Sequence, residues 1–295
     1  MKCLVFSGGA QKGIVYLGIL KFLEEIGVIN DFECFYGTSV GSIMAVLISI
    51  GYTVRELQYL LTKTKIAELI SLDNLNIETF LSNFGFYQPV KLYKLIRLLI
   101  EKKTGILNIT FRQHYEKYQK KVVITGSCIS EFKCYYFSVD NYPDMPIIDA
   151  ITISTCIPIL FQPIEFENKM FIDGAIYDNF PIQQASQYYE LNDILGCLLL
   201  IDFKKEEGVI QTIDKYLLAI LKSIDIKFNY LTLKIYRSFT ITTEINENSL
   251  HKLNDETMVS HFIDMGFTSA QTYYNQNAQR FFKKYKVKLN SIAIE

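Results

Sequence analysis

Twice before residue 51 the chain passes from a short apolar run through a glycine turn into an apolar helix. Residues 2–6 end in Ser7-Gly8-Gly9, and residues 13–26 then carry helical spacing with apolar side chains on most faces. Residues 32–36 repeat the pattern and lead into Gly37-Thr38-Ser39-Val40-Gly41. Residues 42–50 continue as a second apolar helix, stopped by Gly51. A helix that is apolar all round is buried. Strands that alternate with such helices form a mostly parallel sheet, so the expected fold class is α/β.

The rest of the chain extends this reading. Residues 54–62 and the amphipathic stretch Val90–Lys103 are expected to be helices, and residues 122–128 and 134–139 strands. Residues 147–155 read as a helix, interrupted by Pro158 and Pro163. Residues 170–172 form a brief strand running into Asp173-Gly174-Ala175, and residues 194–201 are a buried strand. From about residue 204 the chain reads as mostly helical, without a recognisable signature. No repeat, low-complexity tract or Pro/Gly/Ser linker appears, and at 295 residues and 49% hydrophobic content one domain spanning 1–295 is expected.

Charge and cysteines narrow the function classes. Thirty basic against 31 acidic residues leave a net charge of -1, which gives no support for nucleic acid as a partner. Cys3, Cys34, Cys128, Cys134, Cys156 and Cys197 form no C-x-x-C pair and sit mostly in apolar runs; buried free thiols are expected rather than disulfides or zinc ligands. No apolar run approaches the ~18 residues of a spanning helix, and residues 1–6 are too short for a secretory leader. The expectation is a cytoplasmic protein, at most peripheral on a membrane, and the Asn108-Ile109-Thr110 sequon is then coincidental.

A G-x-S-x-G turn between strand and helix lets the chain reverse sharply and lifts the serine hydroxyl above the sheet edge. The helix behind it aims N–H groups and a positive dipole end at that hydroxyl. Ser39 is thus either a nucleophile or merely a residue capping the helix. A nucleophilic serine needs a base and an oxyanion hole. The histidines are His114, in a charged stretch, and His251 and His261, in a polar C-terminal segment; all three read as surface residues, and a Ser-His-Asp triad fits poorly. Gly8-Gly9-Ala10-Gln11-Lys12-Gly13 between a strand and a helix matches neither G-x-x-x-x-G-K-[ST] nor G-x-G-x-x-G. An oxyanion loop beside the serine accounts for it more simply than a nucleotide phosphate loop does.

Four blocks together resemble the patatin-like phospholipases. The family's G-G-G-x-[KR]-G loop corresponds to Gly8–Gly13, and its following helix to Gly18-Ile19-Leu20-Lys21-Phe22-Leu23-Glu24-Glu25-Ile26-Gly27. Its G-T-S-x-G elbow corresponds to Gly37–Gly41, and its D-G-[GA] to Asp173-Gly174-Ala175, followed by Asn179 and Pro181. Ile157-Pro158 through Phe161 and Pro163 match the stretch before it. The blocks cover about residues 2–60 and 145–202. Ala10 departs from the third glycine of the loop, so a Cβ must fit there, which is harmless unless the position requires positive φ.

The resemblance implies a three-layer α/β/α sandwich and a lipid acyl hydrolase of the phospholipase A or lysophospholipase type. It implies Ser39 as nucleophile and Asp173 as base, with no histidine. Gly8, Gly9 and Ala10 would be the oxyanion donors, and Gly37 and Gly41 the elbow glycines, with Lys12, Gly13 and Gly174 in support. No metal or other cofactor is implied, and activity is expected without calcium. The substrate is a phospholipid or another fatty-acyl ester. An inactive lipid- or partner-binding scaffold, a neutral-lipid esterase and a histidine-dependent esterase are the alternatives. Val90–Lys103 carries Lys91, Lys94 and Arg97 on one side and Leu92, Leu95, Ile96, Leu99 and Ile100 on the other. Such a helix either packs its apolar side on the core or lies on an anionic membrane surface.

Overall fold

The computed structural model describes residues 1–63, 77–202, 231–246 and 256–292, with the single positions 219 and 223. In chain order these contain β1 (Cys3–Phe6), α1 (Val15–Glu25), β2 (Cys34–Gly37), α2 (Val40–Ser49), α3 (Val54–Lys63) and α4 (Ile77–Asn83). Then follow β3 (Gly85–Tyr87), α5 (Val90–Thr104), α6 (Phe111–Tyr118), β4 (Lys121–Cys128), β5 (Lys133–Phe137) and α7 (Ile147–Ser154). The remainder holds β6 (Ile159–Phe161), β7 (Ile164–Phe166), β8 (Lys169–Asp173), α8 (Ala175–Asp178), α9 (Ile182–Ala185), β9 (Ile194–Asp202), β10 (Thr240–Asn246) and α10 (Glu256–Ile292).

The central sheet runs β10-β9-β1-β2-β4-β8-β7, with β5 also paired to β4. The first five strands are mutually parallel, whereas β5, β7 and β8 run antiparallel to their neighbours. Alternation along the strands builds two cores. Leu4, Phe6 and Phe35 face one way, among side chains of α1, α2 and α10. Cys3, Val5, Cys34 and Tyr36 face the other, against Phe180 and Ile182 around α8 and α9. Helices on both faces of a mostly parallel sheet make the expected three-layer α/β/α sandwich. A parallel strand covered on both faces has no solvent side, which is why Cys-Leu-Val-Phe of β1 is fully buried.

The C-terminal part departs from expectation. Residues 240–246 are not helical but form β10, paired in parallel along β9. Their Thr-Ile-Thr-Thr-Glu-Ile-Asn order is rich in β-branched residues, which suit a pleated surface better than a helix. α10 packs along α1 with nothing but backbone at the closest approach, because a Cβ on Gly18 would lie 1.8 Å from the Ile263 carbonyl oxygen. All six cysteines are free thiols. Among the described residues no helix is long and apolar enough to cross a membrane.

Candidate active site

The turn after β2 is built around Ser39, whose φ of 53° and ψ of −125° lie where side-chain-bearing residues rarely go. Such a conformation costs about 1–3 kcal/mol and persists only when its surroundings over-determine it. Here the Ser39 N–H donates to Ser154 Oγ at 2.9 Å. Its carbonyl accepts from the Ser42 N–H at 2.9 Å and from Ser42 Oγ at 2.6 Å. Gly37 and Gly41 let the turn fold against β1: a Cβ on Gly41 would lie 2.5 Å from the Ser7 carbonyl oxygen, and one on Gly37 2.4 Å from that of Gly41. Ser39 stands at the N-terminal cap of α2, yet its side chain caps no helix N–H. It donates instead to Asp173 Oδ2 at 2.7 Å, and the capping alternative does not hold.

Asp173 is the last residue of β8. Its second oxygen accepts from the Ala175 N–H at 2.9 Å, and its own N–H donates to the Cys156 carbonyl at 2.7 Å. The next N–H, that of Gly174, donates to the Ser154 carbonyl at 3.3 Å. Ser39 and Asp173 are 6% and 3% exposed, so the pair meets away from bulk water. The Cys156 thiol is pushed up to about 12, first by burial and then by the charge of Asp173. Burial, with Cys156 and Asp173 adding to it against a hydrogen bond to Thr155, also raises the Tyr93 phenol at the start of α5. Tyr93 also donates to the Thr152 carbonyl of α7 at 3.5 Å, which ties the first turn of α5 to that helix.

The glycine loop follows β1. Ser7 Oγ donates to the Gly8 carbonyl at 2.9 Å and accepts from the Leu199 N–H at 3.1 Å. Tyr16 of α1 donates to the Ser7 carbonyl at 2.6 Å. Gly8 differs from expectation, since its N–H donates to the Asn179 carbonyl at 3.0 Å and is not open to a ligand. The N–H groups of Gly9 and Ala10 have no backbone acceptor among the described residues. Ala10 sits at φ 47°, the left-handed conformation that favours the glycine found there in the family pattern. Lys12 is buried rather than solvated, its N–H donating to the Gly9 carbonyl at 3.0 Å. Gly13 packs under Val40, the residue after Ser39.

One histidine contradicts its expected place. His114 is not a surface residue but 1% exposed, with Nε2 2.8 Å from Ser49 Oγ at the end of α2. Burial, together with the charge of Lys120, lowers it to about 4, which keeps it neutral. His261 is exposed on α10, and His251 lies outside the described residues. Neither described histidine bonds to Ser39, whose hydroxyl donates to Asp173.

Ser154, Thr125 and Asp178 support the turn without being evident from motif reading. Ser154 holds both parts of the site, its hydroxyl taking the Ser39 N–H and its carbonyl that of Gly174; its position just ahead of the Ile157-Pro158 block was the available signal. Thr125 of β4 donates to Thr38 Oγ1 at 2.6 Å, and Thr38 in turn to the Asp178 carbonyl at 2.9 Å. The half-buried Asp178 carboxylate accepts from Tyr136 at 2.8 Å. Burial outweighs that bond and raises the group to about 6. Asn179 fills the space beside Gly8, where a Cβ would lie 2.3 Å from its side-chain oxygen.

A family profile described as Patatin-like phospholipase matches residues 4–186. The chain is 36% identical over 188 residues to "Probable lipid hydrolase 463L" of Invertebrate iridescent virus 6, a match spanning 64% of each chain. It is 25% identical over 230 residues to "Triacylglycerol lipase 5" of Saccharomyces cerevisiae, covering 66% of this chain and 29% of that protein. In fold it is similar to VipD from Legionella pneumophila, with a TM-score of 0.62 at 16% identity, over 94% of this chain and 67% of that one. The matched block of 4–186 contains the glycine loop, the serine turn and the aspartate turn, and by it the chain belongs to the patatin-like phospholipase family.

Proposed function

We propose that the protein is a calcium-independent lipid acyl hydrolase of the phospholipase A type, with Ser39 as nucleophile and Asp173 as general base. The observation that carries this reading is the 2.7 Å hydrogen bond from Ser39 Oγ to Asp173 Oδ2, made by a strained serine that serves no capping role. In the reaction Ser39 Oγ attacks the acyl carbonyl carbon while its proton passes to Asp173. The carbonyl oxygen takes up negative charge facing the Gly9 and Ala10 N–H groups, assisted by the dipole of α2. Collapse expels the alcohol, which leaves with the proton from Asp173, and the acyl group remains on Ser39. Water, deprotonated by Asp173, then attacks the acyl-enzyme and releases the fatty acid.

Gly8 shapes the loop in this account without donating to the oxyanion, and Lys12 supplies positive charge close behind it. Base and donors all come from the chain, so activity is expected to survive chelation. The similarity to a protein named as a triacylglycerol lipase supports neutral acylglycerols as a second substrate class. The six free cysteines support a reducing, cytoplasmic setting, with lipid reached at a membrane surface. Fatty-acid release from mixed phospholipid vesicles, with EDTA present, tests the reading. Release by wild type and none by Ser39→Ala is the expected result. Equal release by both, or release that needs added calcium, would overturn it.

A further inference from the structure

α5 resolves the two possibilities that its sequence pattern left open, and in an unexpected way. Its apolar side is already occupied: Ile96 and Ile100 are buried, and Leu92 and Leu99 pack against the same core. That side cannot also lie in a membrane. The opposite side is exposed and carries Val90, Lys91, Lys94, Arg97, Leu98 and Lys102. At 100° per residue these six fall within one arc of about 140°. One carboxylate, Glu101, falls within the same arc and leaves it with four cations against one anion. Among the described residues none of its four cations forms an ion pair, although Asp149 of α7 lies close enough to Arg97 for its carboxyl to feel that charge.

Just before α5 the chain exposes two large apolar side chains, Leu81 at 68% and Phe84 at 65%. They flank the end of α4, where Phe84 adopts φ 57°. The turn is braced from beneath by Phe80 stacked on Phe86, with ring centroids 4.9 Å apart. A bulky residue held at positive φ and aimed into solvent is an expense that water gives no reason to keep.

This projection is tied to the candidate active site by short links. β3 pairs with β6 through Gly85 and Tyr87, and Gln88 Nε2 donates to Gln162 Oε1 at 2.7 Å. The Gln162 carbonyl accepts from Cys156 Sγ at 2.9 Å, and the Cys156 carbonyl holds the Asp173 N–H. On the α5 side, Tyr93 donates to the Thr152 carbonyl of α7 at 3.5 Å, two residues before Ser154, which holds the Ser39 and Gly174 N–H groups. The apolar projection and the cationic face thus belong to elements linked through β6 and α7 to the turns that hold Asp173 and Ser39.

We infer that Leu81 and Phe84, with the Lys91, Lys94, Arg97 and Lys102 face of α5, form one interfacial surface that seats the molecule on an anionic lipid bilayer. The four cations meet anionic head groups, and their aliphatic stems, with Val90 and Leu98, lie along the interface. Leu81 and Phe84 enter the acyl boundary. The surface deepens the lipid-hydrolase reading and rests on it for its purpose. Its binding can nonetheless be measured without turnover.

The test is co-sedimentation of the Ser39→Ala protein with phosphatidylcholine vesicles, with and without phosphatidylserine. The parent should bind the phosphatidylserine vesicles more tightly and lose that preference at high salt. Reversal of all four cations to Glu should weaken this binding by well over 10-fold, at roughly 5-fold for each charge near the surface. Leu81→Ser with Phe84→Ser should weaken binding to both vesicle types by about 10-fold. Lys2→Glu, at the opposite end of β1, should change nothing. A parent that binds neither vesicle, shows no preference for phosphatidylserine, or is matched by the four-cation variant would overturn the inference. The same variants in the Ser39 background, assayed on a soluble short-chain ester, should keep wild-type turnover, which shows that they are folded. Failure of wild type to cleave any ester would sink the hydrolase reading and leave the vesicle result standing on its own.

Discussion

Asp173 of β8 lies directly opposite Gly126 of β4. β2 runs parallel to β4 with its last residue, Gly37, beside Ile124. Gly126 is two residues beyond Ile124, and Ser39 is two residues beyond Gly37. The same level of the sheet thus receives the serine from a parallel strand and the aspartate from an antiparallel one. That shared level lets residues 134 positions apart meet at 2.7 Å. A register slip of one residue in β8 would turn the Asp173 side chain to the other face.

Replacing Ala10 by glycine should stabilise the protein. A left-handed alanine costs roughly 1–2 kcal/mol, whereas glycine costs the folded state about 0.5–1 kcal/mol in lost chain entropy. A net gain of about 0.5–1 kcal/mol is expected, visible as a higher urea midpoint with ester turnover at least equal to wild type. A lower midpoint would mean that the loop does not hold Ala10 at φ 47°.

Adding a methyl group at Gly18 should do the reverse. Gly18 of α1 and Gly266 of α10 face one another's helix, and a Cβ on Gly266 would lie 2.1 Å from the Val15 carbonyl oxygen. Backbone cannot give way as a side chain can, so Gly18→Ala is expected to cost about 3 kcal/mol. Urea unfolding of that variant beside Gly266→Ala measures it. A change under about 0.5 kcal/mol in both, typical of unconstrained surface sites, would place α10 elsewhere.

These two glycines mark where motif reading stops. Gly18 stands inside a recognisable helix block, yet its partner is 248 positions away on a helix without a signature, and no local pattern connects them. Ser39 was a candidate from its strand-glycine-helix turn, whose mechanics are local, whereas Asp173, by itself an ordinary Asp-Gly turn, was singled out only by the resemblance to the patatin-like family. Ser154 was not legible, because its part is to accept one N–H from each of two distant turns. β10 was hidden by polarity: Thr240, Thr243 and Glu244 interrupt any apolar run, and the strand is defined only by its pairing with β9. His114 was misjudged because its charged neighbours on α6 face solvent while it turns inward to Ser49.

The neutral His114 also predicts an acid response. As pH falls from about 6.5 toward 4, the unfolded chain takes up a proton that the folded protein refuses, so stability is lost across that window, by about 3 kcal/mol at its lower end. Asp178 acts in the opposite sense. Raised to about 6, it binds its proton in the folded state first, and stability is gained as pH falls from 6 toward the ordinary carboxylate range. Urea midpoints between about pH 7 and 4.5 should therefore fall less steeply in His114→Gln than in wild type, and more steeply in Asp178→Asn. Three parallel profiles would contradict both assignments.

The most direct test of the Ser39–Asp173 assignment is covalent labelling with a fluorophosphonate, read by mass spectrometry and by rate. The expected adduct is on Ser39. Its rate should fall by roughly 10²–10⁴-fold in Asp173→Asn, the range set by loss of a general base, and stay at the wild-type value when His251 or His261 is replaced by alanine. An adduct on another residue, or wild-type labelling in Asp173→Asn, would contradict the account.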